Sequence, residues 1–159
     1  MSLLELKTKR LQAAPWQDLT AMELAKLFDP KVVQWLPAGF QTAQDHSARQ
    51  AFLQAVSQQA EAVALSNTSG EGIGLIILSY PEDGSKTRNL GYLFVEDAWG
   101  QGLASELISG LQAHFRGSGV TLSGGVMQEN AASARVLQKA GFTPEPAGAE
   151  TVYSWFSGG

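Results

Sequence analysis

The sequence predicts an α+β domain in which helices cover a mixed, mostly antiparallel sheet. Two observations indicate this class. Apolar residues recur at helical spacing in the first third of the chain, and short apolar runs typical of strands follow. The second half alternates strand and helix patterns, which favours parallel neighbours in part of the sheet. The 159 residues suit a single domain, 1–159, of which we expect 157–159 to form a frayed tail.

The first third of the chain predicts one strand and two helices. "LLELKTKRL", residues 3–11, alternates partly and is interpreted as the first strand. "AMELAKLFD" is interpreted as the first helix, and Pro30 and Pro37 are expected to break the chain after it. A second helix is predicted in "ARQAFLQAVSQQA", with Ser47 as its N-cap. The apolar face of the first helix would be formed by Met22, Leu24, Leu27 and Phe28.

The middle of the chain predicts an antiparallel meander of three strands. The segments are "AVALSN" from Ala62, "GIGLIILSY" from Gly72 to Tyr80, and "NLGYLFV" from Asn89 to Val95. The turn-rich segment "PEDGSKTR" separates the last two.

The last third predicts helix, strand, helix and strand in that order. Residues 120–127 form the next strand, Asn130 caps a helix that ends at Gly141, and "TVYSWF" is the final strand. The helix before them has an apolar face formed by Leu103, Leu107, Ile108 and Leu111.

Composition excludes several classes of function. The chain has no cysteine, which excludes disulfides and thiolate metal sites, and its two histidines lack ligand spacing, so we expect no metal. The formal net charge of -4 argues against nucleic-acid binding. No apolar run approaches the roughly 20 residues of a membrane span, and the N-terminus is a poor signal peptide. We therefore expect a cytoplasmic protein that binds neither nucleic acid nor membrane.

The segment "EDAWGQGLASELI", residues 96–108, places two glycines where a strand ends and a helix begins. A helix N-terminus offers about four N–H groups without intrahelical partners, and glycine lets a phosphate approach them. The pattern indicates a diphosphate site at residues 100–104, although a tight turn would explain the same glycines. The lysine of NTP-binding loops and the third glycine of dinucleotide sites are both missing here.

A second segment, "QENAASARVLQKAGF", places Asn130 at a helix start and Ser133 one turn later. If the strands before the two helices are parallel neighbours, both helix starts open on the same edge of the sheet, where ligands bind. Capping alone would explain Asn130, and a solvated hydroxyl would explain Ser133.

Together these two segments resemble the Gcn5-related N-acetyltransferase (GNAT) superfamily. More narrowly, the chain resembles the branch of bacterial ribosomal-protein N-terminal acetyltransferases, the RimJ/RimL type. "GYLFVEDAWGQGLASELI" is similar to the strand, Trp-Gly-x-Gly-x-Ala and helix of that branch, and "NAASARVLQKAGF" is similar to its Asn-x-x-Ser helix ending in Gly-Phe. The resemblance implies a GNAT-like fold in which two parallel strands splay apart, here the strands ending at Val95 and Met127.

The resemblance also implies acetyl-CoA as cosubstrate. The main chain of Phe94 and Val95 would hold its pantetheine arm like an added strand, and the side chain of Asn130 would hydrogen-bond the same arm. Backbone N–H groups would bind the pyrophosphate, namely those of Gly100, Gln101, Gly102, Leu103 and Ala104, with Ser105 nearby.

The mechanism implied by the resemblance is direct attack of an amine on the thioester. The N–H of Val95 is the candidate oxyanion donor, and Ser133 is the candidate acid or hydrogen-bond donor near the sulfur. Tyr92 is either an active-site hydroxyl or a core residue. Relatives often carry an acidic residue where this chain has Ser123, so the general base stays open, with His46 as a candidate.

Four further residues admit two interpretations each, and a fifth, Glu129, has a simple explanation. Trp35 and Phe40 would form an acceptor wall or belong to the core. Arg135 and Lys139 would meet a CoA phosphate or lie on a solvated face, and helix-dipole stabilisation alone would explain Glu129.

The sequence therefore predicts an acetyl-CoA-dependent N-acetyltransferase acting on a primary amine, either a protein N-terminus or a small molecule. The alternative is a non-catalytic acyl-CoA-binding sensor or interaction module of the same fold, which the missing acid at Ser123 keeps open. A third interpretation is a fold relative without a cofactor. We expect a monomer or a homodimer.

Overall fold

A computed structural model describes residues 2–159, and one mixed seven-stranded sheet organises them. The strand order is β1-β2-β3-β4-β5-β7-β6, and every pair within it is antiparallel except β4 with β5. The predicted α+β class and the mostly antiparallel sheet are confirmed. The strands are β1 (Gln12–Pro15), β2 (Ala60–Ser66), β3 (Gly72–Ser79), β4 (Thr87–Phe94), β5 (Thr121–Met127), β6 (Thr143–Ala147) and β7 (Glu150–Phe156).

The helices follow the predicted order, but four short ones stand where two were expected. The first third holds α1 (Ala21–Leu27), α2 (Pro30–Val33), α3 (Ala38–Thr42) and α4 (His46–Val56). The second half holds α5 (Leu103–Phe115) and α6 (Ala131–Lys139). The predicted apolar face of α5 is confirmed, because Leu103, Leu107, Ile108 and Leu111 are all buried.

The prediction of a strand at residues 3–11 is wrong. Residues 3–5 form a 3-10 turn, Lys7 makes an isolated bridge to Gln12, and the first strand begins only at Gln12. Leu3, Leu6 and Leu11 are all buried, so their spacing reflects a looped segment that inserts three side chains into the core rather than an alternating strand.

Three local predictions around α1 to α4 also need correction. Met22 is 72% exposed and does not belong to the buried face of α1. Pro30 and Pro37 start short helices instead of breaking the chain, because a proline near a helix start lacks only an N–H that would be unpaired there. Asp45, and not Ser47, caps α4 by accepting a hydrogen bond from the N–H of Ala48.

Main-chain hydrogen bonds connect the C-terminal residues 157 and 158, where we expected a frayed tail, to the end of the sheet. Ser157 is buried and donates its N–H to the carbonyl of Val120, and the N–H of Gly119 is donated to the carbonyl of Gly158.

The sequence did not predict β6. It is an exposed edge strand with two prolines, a composition that gives no alternating signal.

The single parallel pair of this sheet is short. β4 and β5 pair only at Thr87 with Thr121, Arg88 with Leu122, and Asn89 with Ser123. Beyond that point β4 continues along β3 as far as Phe94, and β5 continues along β7 as far as Met127. The two strands therefore diverge, and the facing edge of each has no strand partner. The expected splayed pair is confirmed.

An ion pair lies at the base of this divergence. Arg88 is buried, and one of its guanidinium nitrogens lies 2.8 Å from a carboxylate oxygen of Glu61 on β2. The same side chain donates through Nε to the carbonyl of Ser79 at 2.8 Å. These bonds join β2, β3 and β4 where β4 still pairs with β5, which gives the open gap a rigid base.

Candidate functional site

A cavity of about 540 Å³ lies at the divergence of β4 and β5. It extends from the C-terminal half of β4 and the start of α5 to one face of α6 and to the segment around Trp35 after α2. Its volume is within the range of roughly 300–1,000 Å³ that is typical of ligand sites. Residues of both sequence motifs, the two-glycine segment and the segment from Asn130 to Ser133, line this one cavity.

The turn between β4 and α5 exposes main-chain donors to the cavity. Gly100 has φ +74° and Gly102 has φ +79°, a left-handed conformation that glycine adopts without strain. Gly102 is also the N-cap of α5, and it has no side chain to accept a hydrogen bond from the first helical turn. In contrast, side chains cap α1, α4 and α6. The first N–H groups of α5 are therefore available to a ligand.

The positive φ values alone would explain the two glycines as a tight turn. The open space beside them also allows an anion to approach the main chain of residues 100–104, which we call the cradle. A Cβ at Gly100 would meet no other atom of the protein within 4 Å. Packing therefore does not require glycine there. The cavity wall includes Gly100, Gly102, Leu103, Ala104 and Ser105, so the uncapped end of α5 faces the site that the sequence predicted.

Hydrogen bonds hold this turn in place. The indole Nε1 of Trp99 donates to the carbonyl of Phe94 at 2.9 Å, which ties the turn back to the end of β4. The side-chain amide of Gln101 donates to the carbonyl of Asp97 at 3.1 Å. Arg10, which sequence reasoning missed, donates to the carbonyl of Gln101 at 2.9 Å. No motif pointed to Arg10, because it lies 91 positions from its partner.

The N–H of Val95, which the sequence suggested as the oxyanion donor, does not lie on the free edge of β4. The N–H of Val95 is donated to the carbonyl of Ile73 on the β3 side at 2.9 Å. In an antiparallel ladder the main-chain groups alternate in direction, so those of Phe94 and Tyr92 face the side that β5 has left. Val95 also does not line the cavity, whereas Phe94 does. The N–H of Val95 is therefore not available as an oxyanion donor, and that of Phe94 is.

The hydroxyls of Tyr92 and Ser133 meet in the cavity, with 3.0 Å between their oxygens. Tyr92 is contributed by β4 and Ser133 by the first turn of α6, whose N-cap Asn130 accepts the N–H of Ser133 at 3.3 Å. Burial raises the pKa of Tyr92, and the hydrogen bond with Ser133 offsets only part of that rise. Tyr92 is therefore a protonated donor or acceptor at neutral pH.

Several candidates lie outside this cavity. His46 is in the first turn of α4 and does not line it, and its Nδ1 is buried without a hydrogen-bond partner. Ser123 is buried and accepts a hydrogen bond from Ser154 at 3.3 Å. Phe40 packs against Phe28 and Phe52 in the core. Glu129 also does not line the cavity.

The charged residues that line the cavity are all cations. Lys31 comes from α2, and Arg135 and Lys139 lie one turn apart on α6. Among the described residues that form the wall, none is aspartate, glutamate or histidine. Lys31 is 3.5 Å from the exposed carboxylate of Glu96. Trp35 also contributes to the wall, which favours its interpretation as a site residue over a core residue.

Comparison with known proteins identifies the family. Residues 10–143 match the sequence model described as an acetyltransferase (GNAT) domain. The chain belongs to the GNAT family. The match includes the cradle and α6, so the two motifs that carried the resemblance lie within the family domain. No curated protein sequence matches the chain.

Solved structures share the GNAT fold along nearly the whole chain. The structure of RimL, a ribosomal alpha-N-protein acetyltransferase in complex with coenzyme A, has a TM-score of 0.76 at 20% identity over 96% of this chain and 97% of its own. RimJ from Mycobacterium smegmatis, in complex with CoA-disulfide, has a TM-score of 0.74 at 18% identity over 92% and 81%. The microcin self-immunity acetyltransferase MccE, in complex with acetyl-CoA and AMP, has a TM-score of 0.72 at 14% identity over 93% of both chains. RimJ- and RimL-type structures are thus among those that share this GNAT fold.

Residues 2–159 contain neither a membrane-spanning helix nor a cluster of metal-binding side chains. No helix there has the length and apolar character needed to cross a membrane. No group of three or more histidine, aspartate or glutamate side chains in that part of the chain is arranged to hold a metal ion.

Proposed function

We propose that this GNAT protein transfers an acetyl group from acetyl-CoA to a primary amine by direct attack in a ternary complex. The observation that carries the proposal is the uncapped N-terminus of α5, which opens into the same cavity as the unpaired edge of β4. Together they offer main-chain donors first to a diphosphate and then to an extended amide chain. Acetyl-CoA has these two parts in that order.

The diphosphate would be bound by N–H groups of the cradle and the first turn of α5. The positive end of the helix dipole adds to their effect, and no lysine or arginine is present between Trp99 and Ser105. Arg135 and Lys139 of α6 line the same cavity and are placed to attract further phosphate charge. The residues present therefore fit an anion of this kind at this end of the cavity.

The pantetheine arm would lie along the free edge of β4 as an added strand. The main-chain groups of Tyr92 and Phe94 face the gap and offer the hydrogen bonds that β5 does not satisfy there. The carbonyl of Phe94 already accepts the indole N–H of Trp99, so the N–H and carbonyl of Tyr92 are left for the arm and the N–H of Phe94 is left for the thioester carbonyl. The side-chain amide of Asn130, on the opposite wall, is the candidate partner from α6.

The thioester supplies the acetyl group, and the chain would stabilise the charges that develop as the amine attacks. The N–H of Phe94 is our candidate donor to the oxyanion. One such donor contributes about 3 kcal/mol to transition-state stabilisation. Ser133 would donate a hydrogen bond or a proton to the departing thiolate, and Tyr92 would return a proton to Ser133 across their 3.0 Å contact. The proton that the attacking nitrogen loses would pass through solvent and restore the Tyr92 hydroxyl.

The lack of a carboxylate or imidazole in the described cavity wall favours an acceptor amine of low pKa. An α-amino group has a pKa of about 8 and is substantially neutral near pH 8, whereas a lysine side chain, with a pKa of about 10.4, is almost fully protonated there. Three cations around the cavity also disfavour a polycationic acceptor. We therefore rank peptide N-termini and other weakly basic amines above polyamines.

The missing base also supports a second candidate function, a non-catalytic acyl-CoA-binding module. Ser123 is buried on β5 and is hydrogen-bonded to Ser154, so it cannot replace a carboxylate in the cavity. Both candidates require acetyl-CoA binding, but only the enzyme releases free thiol.

Thiol release from acetyl-CoA, measured across a panel of peptides and small amines at pH 8, tests the proposal. We expect turnover with peptides that have free N-termini and none with the same peptides after N-terminal acetylation. Binding of acetyl-CoA without release on any acceptor would favour the binding module. Failure to bind acetyl-CoA would overturn both candidates.

A further inference from the structure

We propose that Arg10 is a positioning residue that orients the cradle for diphosphate, an inference that rests on the proposed function. Arg10 lies outside both motifs, in a turn just before β1. It contacts the cradle at one point and the first turn of α5 at another.

The turn that carries Arg10 is anchored on α5. Thr8 donates its hydroxyl hydrogen to the carboxylate of Glu106, and the N–H of Arg10 donates to the same oxygen at 2.7 Å. Arg10 Nε lies 2.7 Å from the other oxygen. Gly110 on α5 leaves room for this turn, because a Cβ there would come within 2.6 Å of the Thr8 methyl group. The guanidinium of Arg10 is thus held at a fixed place.

From this position Arg10 determines the direction of one peptide group of the cradle. Its Nη1 donates to the carbonyl of Gln101 at 2.9 Å. In a trans peptide the carbonyl and the following N–H point in opposite directions, and the described chain has no cis peptide. Holding the carbonyl of Gln101 towards Arg10 therefore directs the N–H of Gly102 away from it.

The two sides of the cradle differ accordingly. Arg10 and Gln101 line a neighbouring cavity of about 350 Å³, whereas Gly100 and Gly102 line the larger cavity. The N–H of Gly102 is thus directed to the ligand side by a bond made on the opposite side. Gly102 has a glycine's freedom at φ +79°, so without this bond the peptide group would reorient at low cost.

Arg10 acts by orientation more than by charge. Its guanidinium is paired with Glu106, so the pair adds little net positive potential for an incoming anion. A variant without the Arg10 side chain should therefore bind less tightly only those ligands that contact the cradle. If Arg10 had a purely structural role, its replacement would change the affinity for ligands with and without a diphosphate to the same extent, or would change neither.

Arg10→Gln tests this distinction with two ligands, acetyl-CoA and S-acetylpantetheine, which lacks the diphosphate. We expect the Kd of acetyl-CoA, measured by calorimetry, to rise about tenfold, while the Kd of S-acetylpantetheine changes by less than about twofold. Arg10→Lys keeps the charge but not the forked contact, and we expect an intermediate Kd for acetyl-CoA. It also serves as the test variant if Arg10→Gln does not fold.

Two control variants separate orientation from charge and from stability. Lys9→Gln removes the adjacent cation and should leave both Kd values unchanged. Ser57→Ala removes the partner of the buried Trp16 indole N–H, a bond that involves neither Arg10 nor Gln101, so it should lower Tm but spare acetyl-CoA binding. Equal effects of Arg10→Gln on both ligands, or no effect on either, would overturn the role of Arg10. A wild-type chain that binds no acetyl-CoA would instead overturn the proposed function, and this inference with it.

Discussion

The hydroxyl oxygen of Tyr92 lies 3.0 Å from Oγ of Ser133, although the two residues are 41 positions apart in the chain. One belongs to the free edge of β4 and the other to the first turn of α6, so their contact spans the divergence of β4 and β5. Burial raises the pKa of Tyr92, so its hydroxyl stays protonated at neutral pH and can donate a hydrogen bond to Ser133.

The contact between these hydroxyls predicts a coupled loss of rate. Ser133→Ala should lower kcat for thiol release by about 100-fold, and Tyr92→Phe by about tenfold, with KM for acetyl-CoA changed by less than about threefold. If Tyr92 acts through Ser133, adding Tyr92→Phe to Ser133→Ala should cost nothing further. Steady-state kinetics on the two single variants and the double variant measure this coupling. Full additivity of the two losses would contradict the relay.

The absence of a base among the described wall residues predicts a pH profile that belongs to the acceptor. The log of kcat/KM should rise with pH and level off at the pKa of the free amine, because only the neutral amine attacks. A peptide N-terminus should therefore give a midpoint near 8, and a lysine side chain one above about 10. Initial rates from pH 6 to 10 with two matched acceptors provide the measurement. The same midpoint for both acceptors would indicate an enzyme base instead.

The anion cradle predicts that Gly102→Asp abolishes acetyl-CoA binding. The variant strains the N-cap residue of α5 at φ +79° and adds a negative charge beside the main-chain donors, with its Cβ about 3.7 Å from a guanidinium nitrogen of Arg10. At 100 times its Kd, acetyl-CoA stabilises the wild type by about 2.7 kcal/mol, which a thermal-shift assay detects as a higher Tm. The variant should show no such rise.

Gly84→Asp is the matched control for that variant. Gly84 has the same φ of +79° and lies between β3 and β4, where a Cβ would meet no atom within 4 Å. The Gly84→Asp variant introduces the same backbone strain and the same charge, and it should keep the full ligand-induced shift in Tm. A shift that survives in Gly102→Asp, or that disappears in Gly84→Asp, would argue against the cradle.

The environment of Glu106 predicts a loss of stability in acid. Burial alone would raise the pKa of this carboxyl, but hydrogen bonds from Thr8 and Arg10 and the charge of Arg10 outweigh it, so the pKa lies below its ordinary value of 4.5. A carboxyl with a lowered folded-state pKa stabilises the fold above its unfolded-state pKa. That contribution is lost as pH falls through the folded-state value.

Glu106→Gln should remove this part of the pH dependence. Urea unfolding between pH 7 and pH 3 should show a smaller decrease in the free energy of unfolding for the variant than for the wild type. Glu129→Gln, which changes an exposed carboxylate at the N-terminal side of α6, is the control and should follow the wild type. Parallel curves for all three proteins would show that the Glu106 contacts do not contribute.

Local signals in the sequence were sufficient for most of the elements. The apolar faces of α1 and α5, the three-strand meander and the Asn130 cap all depend on neighbours within a few residues, and all were predicted except for the place of Met22. The prediction of a strand at residues 3–11 was wrong because three buried leucines of a loop have a spacing similar to that of a strand. β6 was missed because an exposed edge strand needs no apolar alternation.

For the site, the sequence by itself determined the two helix starts, the glycines and the hydroxyl of Ser133, because capping and left-handed turns are local properties of the chain. The tertiary structure alone decided what these groups face. The length of the β4 and β5 pairing, the direction of the Val95 N–H, and the contacts of Tyr92 and Arg10 all depend on long-range packing. Each of these joins segments that the sheet brings together from far apart in the chain, and no periodicity within one segment records such a contact.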